Sequence, residues 1–274
     1  MYLEYWKLND FPFENVPDPA YFYDSAKHHK ILEELTINIQ RRKGAVMLTG
    51  EIGSGKTTVI QRALLDLPEE RFDIALINYP SLTPLEMLRE VNRQLGLETS
   101  GENRNHLLQI LQEHLIANAR TGRDTLICID EAQSIPSIET LEELRLLLNF
   151  QMSSRFLLTL ILVGQPELQA KIRQLPQLQQ RIALHMHLGA LSLPETAHYM
   201  LHRLQAAGSA DHILTRQAVE QIHEHTGGIP RCINHLADRC LMAGMRRGVS
   251  RLDRSLVLNT LEEYPMEPMN YQYA

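Results

Sequence analysis

Residues 49–58 read TGEIGSGKTT, and this short stretch decides the fold of the chain. From Gly50 onward it matches the pattern G-x-x-x-x-G-K-[ST] in full, directly after an apolar run typical of a strand and at the start of a helical pattern. In this setting backbone N–H groups surround phosphate groups, and the positive end of the helix adds to the attraction. We expect Lys56 to reach the β- and γ-phosphates of a nucleotide and Thr57 to hold Mg²⁺. The residues predicted to bind nucleotide here are Gly50, Glu51, Ile52, Gly53, Ser54, Gly55, Lys56, Thr57 and Thr58.

A second motif, LICIDEAQ at residues 126–133, ends an apolar run with two carboxylates. Asp130 is placed to bind Mg²⁺, directly or through water, and Glu131 is placed to orient and polarise an attacking water molecule. This acidic pair favours hydrolysis over transfer to a bound acceptor, and a small-molecule kinase is the alternative that stays open. Two other classes are excluded, because the chain has neither the guanine-reading N-K-x-D of GTPases nor the LSGGQ signature of transporter ATPases.

Composition limits the remaining possibilities. The chain has 274 residues, of which 44% are hydrophobic and 22% charged, as in a globular protein with a sizeable core. Its net charge of −6 argues against nucleic-acid binding over the whole surface. The three cysteines form no disulfide framework, no apolar run approaches the ~18 residues needed to cross a bilayer, and the N-terminus lacks a signal-peptide pattern. We therefore expect a soluble cytoplasmic protein with no membrane insertion of its own.

Short apolar runs alternate with amphipathic helical patterns over residues 25–190, which predicts a parallel sheet covered by helices. The five predicted strands are AVMLTG, FDIALIN, TLICID, FLLTLILVG and IALHMHL. Over residues 191–264 only helical patterns occur, separated by glycines. Residues 1–24, rich in aromatics and proline, are expected to be extended and turn-rich, and residues 265–274 to form a flexible tail. The predicted fold class is α/β, a P-loop core with a five-stranded parallel sheet followed by a small all-helical lid domain.

A series of motifs extends along most of the chain in this order: FPF, PDPAYFY, the phosphate loop, IDEAQ, LVGQPEL, LPQLQQRI, LSLPETAHYMLHRLQAAG and GGIPRCIN. The series resembles the AAA+ ATPases and, more narrowly, the family of general secretion pathway protein A (ExeA) and its pilus-biogenesis relatives of the MshM type. The phosphate loop alone is shared widely, whereas the ordered set is specific. Full-length secretion relatives continue into a membrane span and a peptidoglycan-binding domain, so we expect this chain to be a truncated form or a short cytoplasmic relative.

The resemblance implies roles for further residues. Gln165 occupies the sensor 1 position, where it would contact the γ-phosphate or the lytic water, although most AAA+ proteins have Asn, Thr or Ser there. Arg181 resembles the arginine finger that enters the site of the neighbouring subunit, with Arg173 as the reserve candidate. Arg231 resembles sensor 2 and, together with Pro230, would bind the nucleotide from the lid domain.

The implied function is Mg²⁺-dependent ATP hydrolysis by a ring-type homo-oligomer, expected to be a hexamer. Its nucleotide cycle would drive assembly or remodelling of a secretion or pilus-biogenesis complex through a component at the inner face of the inner membrane. The alternative is a regulator of transposition of the TnsC/TniB type, which shares the AAA+ core and oligomerises on duplex DNA. Basic clusters at residues 41–43 and 246–254 would serve that role, or form a solvated face. A third hypothesis, a nucleotide switch with negligible turnover, is disfavoured by the intact acidic pair.

The histidine pairs and the N-terminal aromatic residues each allow a functional and a structural interpretation. The histidine pairs in HMH at residues 185–187 and HEH at residues 223–225 would need a third ligand to hold a metal, and exposed histidines are the simpler interpretation. Among the N-terminal aromatics, Phe13, Pro17 or Tyr23 would be placed to line an adenine pocket, whereas core packing is the expected role for most of this segment.

Overall fold

The computed structural model of the protein describes residues 2–16, 19–99, 103–152, 155–209 and 212–265. The chain divides into two compact units. One, the helical unit, comprises Met1–Ala26, Gly53–Gly55 and Gly189–Ala274, and the other, the sheet unit, comprises Lys27–Ile52 and Lys56–Leu188. Pro17, considered above for an adenine pocket, and the part of the predicted tail from residue 266 onward lie outside the described residues.

The strands are β1 (Ala45–Gly50), β2 (Phe72–Ile77), β3 (Asp124–Ile129), β4 (Gln151–Met152), β5 (Arg155–Phe156), β6 (Leu158–Gly164) and β7 (Ile182–Leu188). Five of them form one sheet with the order β2-β3-β6-β1-β7, in which every neighbouring pair is parallel. The remaining two, β4 and β5, form a separate antiparallel hairpin.

The α-helices in the described ranges are α1 (Tyr2–Trp6), α2 (Ala26–Gln40), α3 (Lys56–Leu65), α4 (Pro84–Gln94), α5 (Arg104–Thr121), α6 (Ile138–Leu147), α7 (Glu167–Arg173), α8 (Pro176–Gln179), α9 (Leu193–Ala206), α10 (Arg216–Thr226), α11 (Pro230–Arg247) and α12 (Arg254–Glu263). Short 3-10 turns occur at Pro19–Tyr21 and Ala132–Ser134. No helix within these ranges combines the length and the apolar character needed to span a membrane.

Burial accounts for the parallel sheet. Strands β1, β3 and β6 are buried at every residue, as expected for strands covered on both faces. Their side chains share one apolar core with Met87 of α4, Leu111 of α5 and Leu144 of α6. The predicted fold class, a P-loop core with a five-stranded parallel sheet and a following all-helical part, is confirmed.

The sheet order brings the ends of several strands to one edge. β1 lies between β6 and β7, with Thr49 opposite both Gly164 and His187 in the register. β6 pairs in turn with β3, so the residues that follow β1, β3 and β6 emerge side by side. The carboxyl edge of a parallel sheet is where α/β proteins bind ligands. The phosphate loop, Asp130 and Gln165 all occupy this edge.

Two helices begin with a capping box. Thr83 before α4 and Ser192 before α9 each accept a hydrogen bond from the backbone N–H three residues further on. The carboxylates of Glu86 and Glu195 accept bonds from the capping residues in return. Each pair satisfies two backbone donors that a helix start would otherwise leave unbonded, so local sequence determines where these helices begin.

The helical unit packs α1 and α9–α12 around its own apolar core. Residues 2–6 form α1, so the prediction of an extended segment is wrong for this part of residues 1–24. Trp6 Nε1 donates to the carbonyl oxygen of Leu241 at 2.9 Å, and the Tyr2 hydroxyl donates to Asp238. Both partners lie on α11. These tertiary contacts stabilise a helix that is too short to be stable alone.

The predicted strand FLLTLILVG is partly wrong. β6 begins at Leu158, whereas Phe156 pairs with Gln151 in the β4–β5 hairpin. Helix α6, which precedes the hairpin, ends at Leu147. The N–H of Leu157 donates to the Phe150 carbonyl oxygen at 3.0 Å, a hydrogen bond between the residue before β4 and the residue after β5. Apolar character alone does not separate a hairpin strand from the core strand that follows it.

Candidate functional site

The loop between β1 and α3 follows the end of a central strand. Gly53 and Gly55 have φ values of 77° and 100°, which other residues rarely adopt. Because α3 begins at Lys56, its first backbone N–H groups have no partners inside the helix. Ser54 is buried, and its hydroxyl oxygen has no hydrogen-bond partner among the described residues. Buried hydroxyl groups are normally bonded, so this donor fits a loop that receives a phosphate oxygen.

Lys56 is held inside the loop that it follows. Its side chain is only 5% exposed, and its ammonium group donates to the carbonyl oxygens of Gly50 at 2.8 Å and Glu51 at 2.9 Å. Burial lowers the pKa of this ammonium, while the carboxylates of Glu131 and Asp130 act in the opposite direction. The result is a buried cation beside two carboxylates, suited to charge-assisted hydrogen bonds with phosphate oxygens.

The two predicted Mg²⁺ ligands lie in contact. The Thr57 hydroxyl donates to Asp130 Oδ2 at 2.7 Å. Asp130 is buried, its other oxygen accepts from the Glu131 N–H at 2.8 Å, and its own N–H donates to the Ile77 carbonyl oxygen at 2.9 Å. Hydroxyl and carboxylate oxygens are hard donors of the kind that Mg²⁺ prefers. These residues therefore fit a magnesium ion held between the phosphate loop and the end of β3.

Glu131 follows β3 in the left-handed conformation, with φ 52° and ψ 35°. Its Oε2 accepts from the side-chain amide of Gln133 and, at 3.5 Å, from that of Gln165. Gln133 Oε1 in turn accepts from the backbone N–H of Gln165 at 3.0 Å. The structure thus joins the predicted residues Glu131 and Gln165 in one network through Gln133. Gln133 ends the IDEAQ motif, but the sequence-based prediction assigns it no role.

Arg181 lies just before β7. Its guanidinium donates to the Leu148 carbonyl oxygen at 3.1 Å and to Asn149 Oδ1 at 3.0 Å, and it lies over the Phe156 ring, 5.7 Å from the ring centre. Its carbonyl oxygen accepts from the N–H of Ala45 at 3.2 Å, which ties it to the start of β1. The described contacts of the Arg181 side chain are therefore made with the residues after α6 and with the hairpin.

Pro230 and Arg231 begin α11 in the helical unit, to which Gly53 also belongs. The N–H of Arg231 donates to the Gly53 carbonyl oxygen at 3.2 Å. A Cβ atom at Gly53 would lie 2.5 Å from the Cβ of Arg231, so this close approach needs glycine for steric reasons as well as for its φ. The Arg231 side chain itself is exposed.

The histidine pair on β7 contacts Thr49 of β1. The Thr49 hydroxyl lies 3.0 Å from His185 Nε2 and 3.2 Å from His187 Nδ1. Burial lowers the pKa of His185, and electrostatic interactions with His187 and with Arg173, the reserve finger candidate, act in the same direction. Across the described part of the chain, no three His, Cys, Asp or Glu side chains are grouped so as to hold a metal ion.

The N-terminal aromatics pack inside the helical unit. Phe13 is buried in its core, and the Tyr23 ring lies edge-on to the Tyr199 ring with centres 5.9 Å apart. An adenine contact of these two rings stays a prediction.

The family model described as an AAA domain matches residues 39–172. General secretion pathway protein A of Aeromonas hydrophila is 40% identical to this chain over 256 residues. That alignment covers 92% of this chain and 46% of the relative, so the chain spans less than half of the relative's length.

Solved structures share the fold at low sequence identity. The Aeropyrum pernix ORC2 protein superimposes with a TM-score of 0.69 at 19% identity, covering 93% of this chain and 72% of that one. For Drosophila ORC bound to DNA the TM-score is 0.70 at 17% identity, with coverages of 96% and 66%. For the RuvB Holliday junction branch migration motor of Thermotoga maritima it is 0.55 at 19%, with coverages of 93% and 73%. At these identities the likeness shows the fold alone. The secretion relative and the matched domain agree with the predicted resemblance: the chain contains an AAA domain and is similar to general secretion pathway protein A over most of its own length.

Proposed function

We propose that the protein hydrolyses ATP to ADP and phosphate in a Mg²⁺-dependent reaction. The observation that carries this proposal is the 2.7 Å hydrogen bond between Thr57 and Asp130, because it joins the phosphate loop to the acidic motif in one site. When bound, Mg²⁺ neutralises charge on the phosphate oxygens. Thr57 and Asp130 would hold it, and Lys56 would bind the β- and γ-phosphates from inside the loop.

Glu131 is the proposed general base. It lies directly after Asp130, and its carboxylate accepts hydrogen bonds from the neutral side-chain amides of Gln133 and Gln165. A carboxylate in this position can orient water and accept its proton as the water attacks the γ-phosphate. Gln165, which reaches the same carboxylate, is the proposed contact to the lytic water or the γ-phosphate.

Arg181 is the proposed arginine finger, acting on the site of a neighbouring subunit in a ring of six copies. This assignment comes from the family resemblance. Within its own subunit, the Arg181 side chain is bonded to Leu148 and Asn149. A guanidinium that enters a neighbour's site would couple hydrolysis to assembly, because each site is complete only in the oligomer. Arg231 and Pro230 are the proposed nucleotide contacts from α11.

The proposed biological role follows from the secretion relative. We propose that the nucleotide cycle drives assembly or remodelling of a secretion or pilus-biogenesis complex, through a partner at the inner face of the inner membrane. The 40% identity to general secretion pathway protein A supports this role. The alternative role on DNA is less well supported, because Arg42 is paired with Asp124 and Arg247 with Glu263, which neutralises part of each basic cluster.

The proposed reaction is tested with Glu131→Gln, which keeps the shape of the side chain and removes the base. The variant should bind ATP and lose turnover, while Glu139→Gln, an exposed change in the first turn of α6, should leave turnover intact. Unchanged turnover in Glu131→Gln would rule out the proposed site. Phosphate release with and without EDTA checks the requirement for Mg²⁺.

The proposed role is tested separately in a cell whose secretion or pilus complex needs the protein. Glu131→Gln subunits should block assembly even beside wild-type copies, because they enter the oligomer and retain ATP. Undisturbed assembly would count against the role. ATP-dependent binding to duplex DNA, weakening steeply with added salt, would favour the DNA-bound alternative instead.

A further inference from the structure

The side chain of Gln133 makes two hydrogen bonds of opposite sense. Its amide N–H donates to Oε2 of Glu131, and its amide oxygen accepts from the backbone N–H of Gln165 at 3.0 Å. Gln165 returns to the same carboxylate through its own side-chain amide at 3.5 Å. The three residues therefore form a closed ring of hydrogen bonds that links the turn after β3 to the end of β6.

Side chains also bond to the backbone carbonyl groups of the turn that contains Gln133. Lys171 of α7 donates from its ammonium to the carbonyl oxygens of Gln133 and, at 2.7 Å, Ile135. The Ser134 hydroxyl donates to the carbonyl oxygen of Glu131 at 2.8 Å. Glu131 itself keeps a left-handed backbone, a costly conformation for a residue with a side chain. A conformation of this kind persists where surrounding contacts impose it.

Gly164 shows how closely Gln133 is packed. A Cβ atom at Gly164 would lie 2.7 Å from Gln133 Oε1 and 3.3 Å from the Gln133 backbone nitrogen. Position 164 therefore accepts no side chain while Gln133 keeps its place. The end of β6 and the Gln133 amide occupy adjoining space, so a side chain at position 164 would have to displace the amide.

We propose that Gln133 is a positioning residue that aims the Glu131 carboxylate and couples it to Gln165. Both hydrogen bonds described for this carboxylate reach Oε2, so in the proposed arrangement Oε1 is the oxygen that accepts from the attacking water. A neutral amide can hold the carboxylate in this way without removing its charge, whereas an arginine or lysine would form an ion pair. This inference rests on the proposed function, in which Glu131 is the base and Gln165 contacts the water or the γ-phosphate.

Two substitutions separate the bonds of Gln133. Gln133→Met keeps the length of the side chain and removes both bonds. Gln133→Glu keeps an oxygen that can accept from Gln165 but loses the donor to Glu131. If the donor aims the base, both variants should lower kcat by about tenfold or more, with the KM for ATP within about twofold of wild type. Gln109→Met is the control, because it removes a similar amide–carboxylate bond to Glu113 on the exposed face of α5.

A purely structural role would give a different pattern. It would lower the thermal midpoint of unfolding of Gln133→Met, while kcat measured well below that midpoint would stay within about twofold of wild type. Restored kcat in Gln133→Glu would overturn the proposal. If Gln133→Met does not fold, Gln133→Leu, which is also neutral and removes both bonds, takes its place. Gly164→Ala, which displaces the amide without removing it, should lower kcat in the same direction.

The coupling to Gln165 is tested by a double-mutant cycle on kcat. If Gln133 and Gln165 act through one carboxylate, the Gln133→Met, Gln165→Met variant should lose little more than the worse single variant. Losses that multiply would contradict the coupling. Activity remaining in Lys56→Ala and Glu131→Gln would refute the proposed function itself. If those two variants are inactive and the Gln133 variants keep kcat within about twofold, only the present inference fails.

Discussion

The guanidinium of Arg181 lies over the ring of Phe156, 5.7 Å from its centre, at the junction of the β4–β5 hairpin with the central sheet. The same guanidinium is anchored by Leu148 and Asn149 just beyond α6. A side chain held by three partners has lost much of its conformational freedom, which suits it to the proposed contact with a neighbouring subunit.

Arg181→Ala should lower turnover by about a thousandfold, because an arginine finger stabilises charge that develops in the transition state. ATP binding to the isolated subunit should stay near wild type. Steady-state phosphate release and equilibrium nucleotide binding measure the two quantities. Mixing this variant with Lys56→Ala subunits should restore part of the activity, because intact Arg181 from one subunit then serves an intact loop in the next. Mixtures with no gain in activity would contradict a finger that acts between subunits.

Thr57→Val should raise the Mg²⁺ concentration needed for half-maximal turnover by about tenfold or more, because the substitution removes a ligand oxygen and keeps the shape. Thr57→Ser keeps the hydroxyl and is the matched control, expected to stay close to wild type. A Mg²⁺ titration of ATP turnover measures the effect. Identical titrations for the valine and serine variants would mean that the hydroxyl does not ligate the metal.

Arg203 is a buried cation that ties the N-terminal segment to α9. It is 7% exposed, donates to the carbonyl oxygens of Pro12 and, at 2.9 Å, Glu14, and lies 4.8 Å from the centre of the Tyr21 ring. Arg203→Met leaves both carbonyl groups without these donors. The free energy of unfolding should therefore fall by about 2–4 kcal/mol.

Chemical denaturation measures this loss, and faster proteolysis within residues 2–16 should accompany it. Arg216→Met, which removes an exposed arginine paired with Glu220 on α10, is the control and should change stability little. Equal losses of unfolding free energy in the two variants would show that the Arg203 contacts do not stabilise the N-terminal segment.

The partly buried imidazole of His223 should make the stability of the helical unit depend on pH. Burial lowers the pKa of its imidazole, which lies 2.9 Å from the Thr196 hydroxyl. In the folded chain the pKa of His223 lies below the ordinary value of about 6.5, which applies in the unfolded chain. As the pH falls, the unfolded chain therefore binds a proton at His223 before the folded chain does. The contribution of His223 is therefore fully present above about pH 6.5 and is lost as the pH falls toward the folded pKa.

Urea unfolding at pH 7.5 and pH 5.5 checks the sign. His223→Gln should lose less stability than wild type over this interval, because it lacks the titrating group. His225→Gln removes an exposed imidazole from the same helix and serves as the control for the substitution. A steeper loss in His223→Gln than in wild type would reverse the sign and refute the argument.

Much of the fold could be predicted because the relevant patterns are local. β1, β3 and β6 are buried along their whole length, so each is visible as a continuous apolar run. The capping boxes at Thr83 and Ser192 likewise contain their own signal within four residues. The parts predicted wrongly depend on distant partners. α1 forms because Trp6 and Tyr2 bond to α11, more than 230 residues away along the chain.

The candidate site likewise contains residues that a local motif identifies and residues that only distant contacts identify. Lys56 and Thr57 stand next to each other in one loop, and Asp130 and Glu131 at one strand end, so each pair could be found from a contiguous motif. Gln133 was not found, because the signal that makes it a candidate is its bond to Gln165, 32 residues further on.

The sequence by itself determined most of the core strands and helices and the two motifs proposed to carry the chemistry, because burial and phosphate-loop geometry leave periodic, local patterns. The tertiary structure decided which of those residues meet. Thr57 reaches Asp130 across 73 residues, and Arg203 reaches Pro12 across 191. The first of these contacts depends on the strand order β2-β3-β6-β1-β7, and the second on the packing of the N-terminal segment within the helical unit. Neither is encoded near the residues concerned, because both result from the burial of many apolar side chains at once.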